Sequence, residues 1–338
     1  MKRLVLLLVA FLAVTGMLFA NGSSEKSSSS AAAPAQKALV MRATNTLPED
    51  HPMTQALYKF ADLVKAGTNG AVTVQVFPNS TLGGNTNMVE GVQLGTIDIC
   101  NQFAGTFSSY VPEMDFLALP FLFQSADELY KALDGKAGGI LATALEAKGF
   151  HPLGYFYGGA RSLMNNVRPI NSPEDLKGLK IRTIPSKITL DSIKAMGAIP
   201  VAMSQADVYS ALQQGVLDGW ENSPTTLQTL KLYEVTKYVS WTRHFMTPDL
   251  FVLSAKTWAK LTPDQQKVVT DAAKQAVTFE RGAWDTAEQK NIDLLKQEGV
   301  KFNDVADLAA FKAAVTPLWT AYEDKFHNGL VQAALSSK

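Results

Sequence analysis

The side chains best suited to chemistry in this sequence are its arginines, of which there are only seven: Arg3, Arg42, Arg161, Arg168, Arg182, Arg243 and Arg281. Lysine carries the general surface charge, and three of the seven arginines fall within the 22 residues from 161 to 182. A guanidinium stays charged when partly buried and presents a planar fork that matches a carboxylate, so this concentration points to recognition of an organic anion. Arg182 sits at the end of the short strand read over Lys180 to Thr183, where an α/β lobe presents its ligand contacts; the alternative is a structural ion pair with Glu174 or Asp175. Arg168, directly before Pro169, reads as a brace for the connection between lobes. A second group, Asp218-Gly219-Trp220-Glu221-Asn222-Ser223-Pro224, puts an indole, a carboxylate and an amide at one turn. Asn222 can both donate to and accept from ligand oxygens, and Trp220 can stack on a sugar or carbon face; the alternative is an Asx turn beside a core tryptophan. From the first half of the chain, Glu90 and His51 are candidates for the same cleft, each with a competing role as a solvated helix face or a cap.

The inventory for catalysis is thin. His51, His151, His244 and His327 are scattered, without H-x-x-x-H or Cys/His spacing, so no metal site is expected. There is no G-x-S-x-G turn, and Cys100 lies in an apolar run where a small core residue is the simpler reading. Gly83-Gly84 lacks both the P-loop lysine and the dinucleotide glycine pattern, so no cofactor and no catalytic residue is expected. Thirty-one basic residues balance 31 acidic ones, which argues against a nucleic-acid partner.

The elements that must position these residues follow from periodicity. Ala38 to Ala43 reads as a buried strand, and Leu57, Phe60, Ala61 and Val64 recur at helix spacing. Val72, Val74 and Val76 then alternate with polar residues as a strand does. A second unit has Met88, Val89, Val92 and Leu94 on a helix closed by Gly95, then a strand from Ile97 to Phe103. The recipe repeats with strands at Lys180 to Thr183, Ala198 to Ala202 and Leu217 to Trp220, and helices at Leu190 to Met196 and Asp207 to Gln214. This alternation predicts an α/β protein with a parallel-type sheet, its ligand at the carboxyl ends of the strands, and 338 residues suffice for two lobes. From Thr262-Pro263 onward no proline appears until Pro317, and apolar residues recur three or four apart. The pattern predicts either a helix of about 35 residues, long enough to cross both lobes, or two helices broken at Gly282.

Lys2 and Arg3 precede an apolar run from Leu4 to Val14, and Ala20 supplies a small residue for cleavage. Residues 1–20 therefore read as a secretory signal, an uncleaved anchor being the alternative, and 21–37 as a flexible Ser/Ala leader. Cleavage after Ala20 would remove one Lys and one Arg, leaving 29 basic against 31 acidic residues, and would place the protein in the periplasm.

The stretch Ala160 to Val235, with ARSLMNNVRPINSPEDLKGLKIRTIPS, PVAMSQADVYSALQQGVLDGWENSPTT and YEV, resembles the solute-receptor subunit of tripartite ATP-independent periplasmic (TRAP) transporters of the DctP type. FPNSTLGG, VEGVQLGTID and LPFLF before it, and LFVLSAKTWAKLTPDQQKVVTDAAKQA after it, extend the resemblance over residues 38–320. It implies a two-lobe periplasmic binding fold of type II-like topology with a long lobe-spanning helix. Lobe I would comprise 38–158 and 248–287, and lobe II 159–247 and 288–338. It also implies a monomeric receptor that closes on a small organic acid and delivers it to a sodium-coupled membrane permease. By the same resemblance Arg182 clamps the ligand carboxylate, Arg161 adds a second contact and Asn222 hydrogen-bonds the ligand. The frame departs from the family at Gln205, where an aromatic group is common, and at Asp207-Val208-Tyr209, which replaces E-x-Y. Within the family the D-G-W-E-N-S-P run favours a sugar acid such as a uronate over a C4-dicarboxylate. Two rivals stand beside this reading: a periplasmic enzyme with Glu90 or Glu221 as general base near Arg182, and the receptor of an ATP-driven importer, which would lack the long helix.

Overall fold

A computed structural model describes residues 38–323, 326 and 329–335. The expected signal segment, the leader and His327 lie outside the described residues. The strands are β1 (Leu39–Thr44), β2 (Val72–Phe77), β3 (Ile99–Phe103), β4 (Phe150–Asn165), β5 (Lys180–Thr183), β6 (Ile199–Ala202), β7 (Gly219–Asn222), β8 (Tyr238–Ser254) and β9 (Lys301–Asp304). They form one mixed sheet in the order β2-β1-β3-β8-β4-β7-β5-β6, with β9 beside β8. Both flanks are parallel, as the β-α-β repeats predict: β2-β1-β3 on one side and β7-β5-β6 on the other.

The middle differs from the parallel sheet expected. The 16-residue β4 and 17-residue β8 run antiparallel to each other, and β8 also runs antiparallel to β3 and β4 to β7. These two strands pass through both halves of the molecule. Their pairing shifts register between Pro152 and Gly154, Tyr157 and Ala160, and Arg161 and Leu163, so each strand bends where one half gives way to the other.

Three apolar cores result. The largest gathers the helix Pro52–Gly67 through Met53, Leu57 and Phe60, the helix Asn85–Leu94 through Met88 and Val92, and the β3 end of the sheet. The second gathers Val208, Leu212, Leu217, Trp220 and Leu227. The third gathers Ile170, Leu176, Ile181 and Ile193 with Phe311 and Val315. Two lobes therefore stand on separate cores and share the central strands.

One unbroken helix of 35 residues, Pro263–Gln297, ties them together. Its start is capped reciprocally: Thr262 Oγ1 accepts from the Gln265 amide at 3.3 Å and Gln265 Oε1 accepts from the Thr262 amide at 3.0 Å. Ala272, Ala276 and Trp284 pack into the first core, and Leu295 into the second. Gly282 does not break it. The chain end departs from the expected assignment of 288–338 to lobe II: Tyr322, Phe326, Leu330 and Ala334 pack into the first core, with Phe326 edge-on to Phe116 at 5.7 Å. Apolar residues still unburied after Val315 find cover there, so the chain recrosses.

Candidate functional site

Between the first core and the other two lies a cavity partly open to solvent. Its walls come from both lobes. Leu47, His51, Met53, Asn85, Gln102 and Phe103 belong to the first side, and Arg161, Ile184, Gln205, Asn222 and Thr226 to the second; Asp249 projects from β8.

The buried Arg161 forms the cationic pole. Its Nε donates to Glu221 Oε2 at 2.7 Å, its Nη2 to Glu221 Oε1 and to the Glu221 carbonyl at 2.9 Å each, and its Nη1 to Asn222 Oδ1 at 3.2 Å. These four bonds leave one of the five guanidinium hydrogens, on Nη1, for a guest. Burial acts to raise the Glu221 carboxyl, but the paired Arg161 and the nearby His244 and Arg182 outweigh it and hold the group below the usual carboxylate range. Thr183 Oγ1 donates to Glu221 Oε1 as well, at 3.0 Å. Glu221 thus anchors an arginine and is not placed as a general base. Asn222 Oδ1 also accepts from the Ser223 amide at 2.8 Å, which turns its Nδ2 donors to the cavity.

Arg182 sits one side chain back from the wall, and here the geometry corrects the expectation that it faces the crevice directly. Its side chain is fully buried; Nε donates to the Met203 carbonyl at 2.8 Å and Nη1 to Gln205 Oε1 at 3.2 Å, so Gln205 stands between it and the cavity. No ion pair holds it among the described residues, and Nη2 has no partner. Glu174 pairs instead with Lys177, while Asp175 accepts from the Asn171 and Ser172 amides. Burial pulls the Arg182 guanidinium down to about 9, against the pull of Glu221. A buried cation without a carboxylate is costly until an anion joins it.

His51 caps the helix Pro52–Gly67: its Nδ1 accepts from the Met53 amide at 3.2 Å, and burial lowers its pKa to about 3, so the ring is neutral. The proton then resides on Nε2, which lies 3.5 Å from Thr226 Oγ1 across the cavity. Asn85, the first residue of its helix, makes a second bridge by accepting from the Gln205 amide at 3.1 Å while donating to Gln102 at 2.7 Å. Both bridges join the first core's side to the second's.

Two candidates lie away from the cavity. Trp220 is fully buried in the second core and donates its indole N–H to Thr236 Oγ1 at 3.2 Å. Asn222, two residues on, reaches the rim because β7 ends there. Glu90 is on the exposed side of the helix that begins with Asn85. Arg168 braces locally, donating to the Asp175 and Lys177 carbonyls. Cys100 is buried in β3 with its thiol pushed upward by burial, as a core residue is. Sequence reasoning missed Asn85, Gln102, Thr226 and Asp249; of these only Thr226 lies in a stretch that carried the resemblance, and only the fold converges them.

A two-lobe α/β body with a polar, arginine-lined cavity at the lobe junction is the architecture of a solute receptor. The family model for bacterial extracellular solute-binding proteins of family 7, DctP, matches residues 43–325. The chain is 36% identical over 260 residues to the 2,3-diketo-L-gulonate-binding periplasmic protein YiaO of Escherichia coli, covering 77% of this chain and 79% of that one. Among solved structures, a TRAP periplasmic solute-binding protein of a Sulfitobacter species with bound β-D-galacturonate superposes with a TM-score of 0.84 at 33% identity, over 87% of this chain and 98% of its own. A Chromohalobacter salexigens counterpart with bound D-glucuronate gives 0.85 at 31% identity, over 88% and 100%. The chain belongs to this family, the DctP-type receptors of TRAP transporters.

Proposed function

We propose that this chain captures a monocarboxylic sugar acid, of the uronate or aldonate class, between its lobes outside the cytoplasm and hands it unchanged to a sodium-coupled membrane permease. The carrying observation is Arg182, a fully buried guanidinium with an unpartnered Nη2 and, among the described residues, no carboxylate in ion-pair contact, Glu221 acting on it only from a distance. On this reading the ligand carboxylate displaces the Gln205 amide from Nη1, takes Nη2, and accepts from the free Arg161 Nη1 hydrogen and from Asn222 Nδ2. Glu221 holds Arg161 so that its orientation is set before binding. The amide and hydroxyl groups of Asn85, Gln102 and Thr226 suit a polyhydroxylated chain, as does the apolar face of Phe103. The sugar acids bound by similar receptors support the same class.

The test is calorimetry with D-glucuronate, D-galacturonate and D-galactonate on the wild type and on Arg182→Met. A charged hydrogen bond contributes about 1.5–3 kcal/mol, and Arg182 would make more than one, so the variant is expected to bind at least about 100-fold more weakly. Its ligand-free melting temperature should be unchanged or higher, because an unpaired buried charge is removed. Undiminished affinity would overturn the assignment. Ligand recovered from the wild type and found chemically altered by mass spectrometry would overturn the receptor reading.

A further inference from the structure

Asp249 is the one acidic group on the cavity wall, and the anion-binding role leaves it without a task. We propose that Asp249 reads a hydroxyl at the end of the ligand remote from the arginines, and that by occupying that end with a carboxylate it selects monoacids and rejects diacids. The proposal rests on the sugar-acid reading and deepens it.

The placement carries the argument. On β8, Asp249 is registered opposite Phe103 of β3 and Phe156 of β4, whereas Arg161 is registered opposite Phe245, four residues earlier. At about 3.3 Å per residue the two backbones stand roughly 13 Å apart. Both side chains line the cavity between those backbones. The floor between them is Phe103, which shares the Asp249 rung while its ring lies under the Arg161 guanidinium, 5.3 Å from Cζ to centroid. A sugar ring lying on Phe103 would therefore have its carboxylate at Arg161 and a hydroxyl at Asp249.

The carboxyl is held for that role. Its Oδ2 accepts from Asn101 Nδ2 at 3.3 Å, and Asn101 is fixed in turn by a 3.0 Å bond from Asn45 Nδ2 to its Oδ1. The residue lines the cavity, and no described residue bonds its Oδ1. Burial raises this carboxyl to about 7 against the pull of Arg161, whose hydrogen bonds go to Glu221 and Asn222, so Asp249 is ionised in mildly alkaline solution. A ligand hydroxyl can donate to Oδ1. A second carboxylate cannot donate, and it meets a like charge in a partly dehydrated space.

The experiment compares each uronate with the diacid made by oxidising its other end: D-glucuronate against D-glucarate, and D-galacturonate against galactarate. Calorimetry at pH 8.5 keeps Asp249 ionised and is run on the wild type, Asp249→Asn and Asp249→Ala. The wild type is expected to prefer the uronate by at least about 100-fold. Asp249→Asn should weaken the uronate about tenfold or more and strengthen the diacid, narrowing the preference by at least about 100-fold. A wild-type protein that binds diacid and uronate alike overturns the proposal without any variant having to fold. So does a preference that survives in both variants. If uronates bind and depend on Arg182 while Asp249 proves indifferent, only this assignment falls; if no sugar acid binds the wild type, the receptor reading falls with it.

Discussion

Arg161 and Arg182 are both fully enclosed, yet their partners set them apart: one is locked to Glu221 and leaves a single hydrogen for a guest, the other keeps a whole nitrogen. Composition marked only a cluster of three arginines, and the family resemblance made Arg182 the clamp and Arg161 a second contact; neither could say how each is partnered. The same scale holds a further buried titratable group, Glu280 on the long helix, whose Oε2 accepts from the Tyr157 amide at 2.9 Å while Oε1 has no partner. Burial, reinforced by the Asp249 charge, raises its carboxyl well above the ordinary 4.5. Between those limits the folded protein holds a proton that the unfolded chain has released. The stabilisation is therefore fully present below about pH 4.5 and is lost as pH rises toward the folded value. Glu280→Gln cannot titrate, so it should match the wild type near pH 4.5 and gain on it by up to about 1.4 kcal/mol per pH unit above that. Thermal unfolding of the ligand-free proteins at pH 4.5 and 8 measures this. A gap that does not change with pH would mean that Glu280 is ionised in the fold.

At the level of elements, two glycines make opposite predictions from the same substitution. Gly159, where β4 bends between lobes, has φ +76°, and a Cβ there would meet Trp284 Cζ2 at 2.5 Å and Ser223 Cβ at 2.8 Å. Gly159→Ala is expected to cost about 1–3 kcal/mol through backbone strain and crowding. Gly282 has open space around it inside a continuous helix, so Gly282→Ala should add about 0.5–1 kcal/mol. Denaturant unfolding checks both signs. The flanking β-α-β units were legible because each strand is short and each helix carries its own apolar stripe. β4 and β8 were not: they are buried on both faces over most of their length and interrupted by Pro152, Gly154, Gly158, Gly159 and Pro248, so no alternation survives to be read.

Across the whole molecule, the bridges His51–Thr226 and Asn85–Gln205 require the two lobes to be drawn together around the cavity. Binding should accordingly stabilise and compact the protein. At a ligand concentration 100 times the dissociation constant, linkage predicts about 2.7 kcal/mol of added stability. D-glucuronate is expected to raise the melting temperature in a concentration-dependent way and to reduce the radius of gyration in solution scattering, with neither effect in Arg182→Met. Binding without any compaction would show that the lobes are already closed.

Read alone, the residue order determined the α/β alternation, the helix start at Thr262-Pro263 and the scarcity of arginine, since each is written in neighbouring residues or in composition; that the helix runs unbroken through Gly282 was decided by the structure. Only the tertiary structure decided that Glu221 claims Arg161, that Gln205 screens Arg182, that Trp220 belongs to a core and that Asp249 lines the cavity. It also decided that the chain end returns to the first core. These outcomes depend on contacts between residues 23 to 210 positions apart, such as Arg182 with Gln205 and Phe116 with Phe326, and no local pattern encodes which distant partner a side chain will meet.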